Sequence, residues 1–87
     1  MKFIPVELWA DPPGQPPPAR VGYRLAWTEN EVEHTKTIKA KRLDNAQYIA
    51  SALVSKTPGE NFRLQEKISW SIGFSFWITI GKFVPEV

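Results

Sequence analysis

One change of period constrains this chain more than any other feature. Up to about residue 41 apolar residues alternate in twos, between 43 and 59 they recur at helical spacing, and after 60 the alternation returns. In "LDNAQYIASALVSKTPG" (43–59), Ala46, Ile49, Ala50 and Leu53 stand at i, i+3, i+4 and i+7, one face of a helix. Asp44 sits at the expected N-cap, and Gln47 three residues on makes a near capping box. Thr57-Pro58-Gly59 ends the helix, because proline cannot continue the hydrogen-bond ladder. A lone helix among strands covers one face of a sheet and leaves the other open.

The alternating stretches set the strands. "KFIPVELWA" (2–10) opposes Ile4, Val6 and Leu8 to Phe3, Pro5, Glu7 and Trp9, and Pro5 places it at a sheet edge. "RVGYRLAWTEN" (20–30) opposes Val21, Tyr23, Leu25 and Trp27 to Arg20, Gly22, Arg24, Ala26 and Thr28. The polar "TENE" (28–31) forms a turn, and the β-branched "VEHTKTIKAK" (32–41) supplies a third strand. "NFRLQEKISWSI" (61–72) sends Phe62, Leu64, Ile68, Trp70 and Ile72 inward. Glu66 interrupts that set, which predicts a bulge or a partnered carboxylate. Gly73 permits a reversal, and "FSFWITIGKFV" (74–84) returns with Phe74, Phe76, Ile78 and Ile80 inward. The expectation is one small α+β domain over residues 1–87. Its order is βββαββ, with about five mostly antiparallel strands and one helix on one face.

Composition removes several kinds of chemistry. At 87 residues the chain buries only roughly 60 to 65% of its unfolded surface, so its core is thin. It has no cysteine, hence no disulfide and no thiolate metal site, which fits a reducing compartment. Its single histidine, His34, rules out a multi-imidazole site within one chain. One imidazole on a strand also gives no Ser-His-Asp arrangement, and His34 is expected to be a surface strand residue. The five glycines are scattered and form no phosphate-cradling loop. Glu31 and Glu33 fall two apart, which a solvated strand face explains without acid–base chemistry. "ISWSIGFSFWITIG" (68–81), about fourteen residues with several serines, is shorter than the roughly twenty apolar residues of a spanning helix. The amino terminus lacks a signal-peptide apolar run. A soluble, cytoplasmic protein is expected, not an enzyme, with no cofactor, no bound metal, no small-molecule substrate and no membrane partner.

The segment "DPPGQPPPARVGY" (11–23) packs five prolines into residues 11–18. It contains Pro13-x-x-Pro16 with Arg20 nearby, as polyproline ligands do, but a stiff loop that lowers unfolded-state entropy is the simpler role. From Asp11 onward the segment also resembles the first hairpin of ribonuclease H. In that family a catalytic aspartate ends strand one, a Gly-x-Pro-Gly-Pro loop follows, and Gly-Tyr or Gly-Trp opens strand two. Gly14, Pro16, Pro18, Ala19, Gly22 and Tyr23 fall at matching places, with Asp11 about two residues too close to the glycine. In the helix, Asn45, Ala46 and Tyr48 match the family's Asn-x-Ala-Glu-Tyr segment, but Gln47 stands where the family has a metal-binding glutamate. The resemblance covers about residues 3 to 56, and nothing after residue 60 looks like the strand and helix that bring the third acidic ligand. Two-metal chemistry needs a cluster of carboxylates, and an amide oxygen is a weaker, neutral ligand. The resemblance therefore implies a truncated, catalytically degenerate copy.

What remains is the uncovered face. It is expected to show Trp9, Trp77, Phe83 and Phe3 among Arg20, Arg24, Lys39, Arg63 and Lys67. Aromatic and Arg anchors mark protein interfaces, so the leading expectation is a non-catalytic binding protein with a protein partner or a homodimer. In size and layout the chain is similar to small phage anti-CRISPR-type inhibitors, which implies a protein that occupies a surface of a host macromolecule. The alternative is a nucleic-acid-binding module in which the same aromatics stack on bases and the cations meet phosphates. A net charge of +2, from eleven basic and nine acidic residues, gives only mild steering toward a polyanion.

Overall fold

The computed structural model describes residues 1–6, 19–69 and 73–85, so Asp11, the proline-rich segment, Trp9, Trp70 and Ile72 lie outside the described residues. The elements are β1 (Lys2–Pro5), β2 (Ala19–Glu29), β3 (Val32–Ile38), α1 (Leu43–Lys56), β4 (Glu60–Ser69) and β5 (Ser75–Val84). The order is βββαββ, and the strands form one open antiparallel sheet, β1-β5-β4-β2-β3, with α1 packed on one face. The strand β1 pairs with β5, at one edge of the sheet, and β2 lies between β4 and β3.

The core sits where α1 crosses the middle of the sheet. Leu25 and Leu64 face each other across β2 and β4 and are 0% exposed, with Tyr23, Ile38, Phe62 and Phe83 around them. The helix meets them with Ala46, Ala50 and Val54, while Ile49 and Leu53 flank the contact half-buried. Two alanines on the contact line let the helix axis approach the sheet closely. The helix begins differently from the sequence expectation. Arg42 is the N-cap and makes no side-chain capping bond, whereas Asp44 lies in the first turn, where its Oδ1 accepts the Asn45 N–H at 2.9 Å. A carboxylate there still complements the helix dipole, which is enough to tolerate the missing cap.

Three β-bulges decide which residues share a face. Between Arg20 and Gly22 the β2–β4 register shifts, and the extra residue, Val21, is turned out and exposed. Arg20 thereby moves to the helix side, beside Ile68, instead of the open side. A second shift places Asn61, at φ 57, as an extra residue of β4. A third, between Leu64 and Gln65, makes Ile80 the extra residue of β5. A one-residue slip exchanges every later side chain between faces. Gly81 and Phe83 consequently point into the core, and Phe83 is 4% exposed, contrary to its expected place on the open face. Phe3, opposite Phe83, follows it inward, with ring centroids 5.1 Å apart. Phe74, expected inward, is exposed just before β5 begins.

Both sheet edges are guarded. The edge strand β1 is four residues long and ends in Pro5, and β3 carries Lys36 at the middle of its free edge. What holds β1 is close packing: a Cβ on Gly81 would lie 2.1 Å from Cζ of Phe3. Gly81→Ala should therefore expel the Phe3 ring and destabilise the fold by about 1–3 kcal/mol, the range for an overpacked core. In a Phe3→Ala background the same change should cost much less in urea denaturation, which measures the coupling directly.

The β2–β3 connection gives a second prediction. Glu29 pairs with Val32, and the two residues between them, Asn30 and Glu31, have φ of 52° and 65°. That left-handed pair matches strand twist in two-residue hairpins, and asparagine accepts it more readily than glutamate. Glu31→Gly should raise the urea midpoint, with a gain of about 1 kcal/mol.

Candidate binding face of the sheet

The face opposite α1 is built from short rungs of residues in register. One rung runs Gly22–Lys67–Trp77 across β2, β4 and β5. The next runs Thr37–Arg24–Gln65–Thr79, beginning on β3. A third runs Thr35–Ala26–Arg63–Lys82–Ile4 through all five strands. Of the residues expected on this face, Arg24, Arg63, Lys67 and Trp77 are brought together. Arg20, Phe83 and Phe3 are on the helix side, and Trp9 is outside the described residues. Lys39 lies past the end of β3, so it does not join them either.

The side chains form a connected layer. The Arg24 guanidinium lies over the Trp77 indole, 4.3 Å from the ring centroid, and Gly22 leaves room beneath the indole's far edge. Such a cation–π contact is worth about 0.5–1 kcal/mol at exposed sites and more when desolvated. Arg24 Nε donates to Gln65 Oε1 at 2.7 Å, and Gln65 Nε2 donates to Thr79 Oγ1 at 3.3 Å. Burial, and then the neighbouring charge of Arg63, draws the Arg24 guanidinium below its ordinary value, although no arginine loses its proton at neutral pH. Arg63 is already engaged, donating Nε to the Asn61 carbonyl at 3.0 Å and pairing with Glu33. The Arg63 hydrogen bond, and then that of the Thr28 hydroxyl, holds the Glu33 carboxyl below the usual carboxylate range.

Charge on this face is one-sided. Lys2, Arg24, Arg63, Lys67 and Lys82 stand on it against Glu33 and Glu60, with Ile4 exposed beside Lys82. Gln65, Thr79 and Lys82 were not among the sequence-based candidates. Gln65 was legible as an outward residue of β4, but Lys82 was hidden by the bulge at Ile80, which reverses the parity of the last strand.

The helix side holds a second polar group. Glu66 is 4% exposed, the single charged residue among the described buried ones, and pairs with Arg20. This is the partnered carboxylate that its inward position called for. Burial first, and then the hydrogen bond and charge of Glu66, push the Tyr23 phenol up to about 12. His34 stands half-buried on β3 and stacks on Trp27 at 5.6 Å, and Trp27 stacks on Phe62 at 6.3 Å. At the β3–α1 corner an open pocket of about 750 Å³ is lined by Lys39, Ala40, Lys41, Arg42, Asn45, Tyr48 and Ile49. Among the described residues no three His, Asp or Glu side chains gather as a metal site. No described helix is long and apolar enough to cross a membrane.

No family model, no curated protein and no solved structure matches this chain.

The Tyr23–Glu66 contact carries a pH prediction. A phenol raised in the folded state stays protonated where the unfolded chain ionises, so stability is lost as pH rises from the ordinary phenol value of 10.0 to about 12. Phenolate absorbance should show a late-titrating component that belongs to Tyr23. The late component, and the alkaline loss of stability, should vanish in Tyr23→Phe.

Proposed function

We propose that this protein is a non-catalytic binding module whose open sheet face takes a single-stranded nucleic acid. The observation that carries the reading is the face itself: an indole with an arginine laid over it, set among unpaired lysines, with no apolar centre. A protein interface of ordinary kind has a hydrophobic core and a polar rim, and this face has neither arrangement. Single-strand binders combine a flat ring on which a base rests with cations along the backbone path. Here the Arg24 guanidinium stacked on Trp77 supplies the flat surface, and Lys67, Lys82 and Lys2, which make no ion pair among the described residues, supply the charge. Arg63 contributes less, because Glu33 already neutralises it.

A protein-directed reading draws on a different part of the surface. Val21 and Phe74 are both exposed near the end of the sheet where Ser69 pairs with Ser75. An inhibitor that occupies a host protein, or a second copy of the chain, would use that apolar end.

Fluorescence anisotropy with a labelled twelve-nucleotide strand separates the two. On the nucleic-acid reading, log K falls with log salt with a slope of about −2 to −3, as expected for three or four phosphate contacts. Lys67→Ala should make that slope shallower by about 0.7, and Trp77→Ala should cost about 1–3 kcal/mol at all salt concentrations. Flat salt dependence, or Trp77→Ala binding like the parent, would overturn it.

A further inference from the structure

Arg24 differs from the other cations of the open face in being held rather than merely present. It reaches from β2 across β4 to lie over Trp77, and its Nε is fixed by Gln65 Oε1. A guanidinium only donates, so the amide oxygen of Gln65 faces the arginine and its Nε2 donates to Thr79 Oγ1. A guanidinium has five N–H donors, so one is used in this ladder and, among the described residues, no hydrogen bond takes the four on its two terminal nitrogens. None of the ion pairs among the described residues involves Arg24. Arg63, one rung away, is consumed by Glu33 and the Asn61 carbonyl, and Lys67 and Lys82 are compact charges without a planar fork.

An open guanidinium fork fits either an oxyanion or the O6/N7 edge of guanine. Its place over the indole distinguishes the two. A planar base meeting the fork edge-on extends the flat layer that the guanidinium makes over the indole and keeps its own faces against flat, weakly hydrated groups. A phosphate is tetrahedral and strongly hydrated, and gains nothing from an apolar ring. We propose that Arg24, positioned by Gln65 and Trp77, reads a guanine of the bound strand through O6 and N7. This rests on the nucleic-acid reading above and makes it base-selective.

The test uses the whole chain and twelve-nucleotide thymidine strands carrying one central guanine, adenine or 7-deazaguanine. Guanine should tighten binding roughly 5- to 100-fold over adenine at the same position, the worth of one bidentate pair. The 7-deaza base lacks the N7 acceptor and should lose most of that gain. The guanine-to-adenine ratio should fall to about one in Arg24→Lys, which keeps charge but not the fork. It should fall in part in Gln65→Leu, whereas Lys82→Ala should weaken both strands and keep the ratio. Equal binding of all three strands by the parent protein overturns the base reading and leaves the nucleic-acid reading standing. Failure to bind any strand at low salt overturns both. The parent protein alone decides between these outcomes, whatever the variants do to folding.

Discussion

The contact of Ala46 and Ala50 with Leu25 and Leu64 is the constraint from which the rest of the structure follows. It is where the fourteen-residue helix closes over the centre of the five-stranded sheet. Leu25 and Leu64 are fully buried because they are opposite one another on adjacent strands and beneath the helix. Burying side chains of this size contributes about 1.5–3 kcal/mol each, a large share for a chain so short. One covered face also means one uncovered face. The sheet must present to water a surface as broad as its core, and the chain fills that surface with Arg, Lys, Gln and Thr.

The helix was legible because its period is unlike anything else in the chain, and its end at Lys56 is where Thr57-Pro58-Gly59 put it. The order of elements followed from the alternation on either side. What the sequence could not show was parity after a bulge. Val21 and Ile80 are ordinary β-branched residues, and nothing local marks either as an extra residue in its strand. Yet Val21 turns Arg20 toward Glu66, and Ile80 turns Phe83 inward and Lys82 outward. Four of the nine residues expected on the open face therefore lie there, Arg24, Arg63, Lys67 and Trp77, because they fall between the bulges. The pairing of β1 with β5 was equally hidden. It depends on Phe3 settling over Gly81, a contact between residues almost at opposite ends of the chain.

Glu66 shows how a thin core accommodates a charge. A buried carboxylate is costly unless paired and hydrogen-bonded. Here the bulge at Val21 delivers Arg20, and the Tyr23 phenol adds its hydrogen bond from the same face. The irregularity that defeats a simple alternating pattern thus supplies the partner that the inward glutamate needs. On the opposite face the same strands place Arg24 and Lys67 two rungs in a row beside Trp77.

The central claim is that ligand contacts fall on the open face of the sheet and not on the helix side. Chemical-shift mapping of the ¹⁵N-labelled protein with a twelve-nucleotide thymidine strand tests it most directly. The account predicts that the indole N–H of Trp77, the Nε–H of Arg24 and the amides of Lys67 and Lys82 move together, while the Trp27 indole and the amides of Ala46 and Ala50 stay in place. Shifts confined to α1, to the Lys39–Arg42 corner or to the Val21–Phe74 end of the sheet would contradict it.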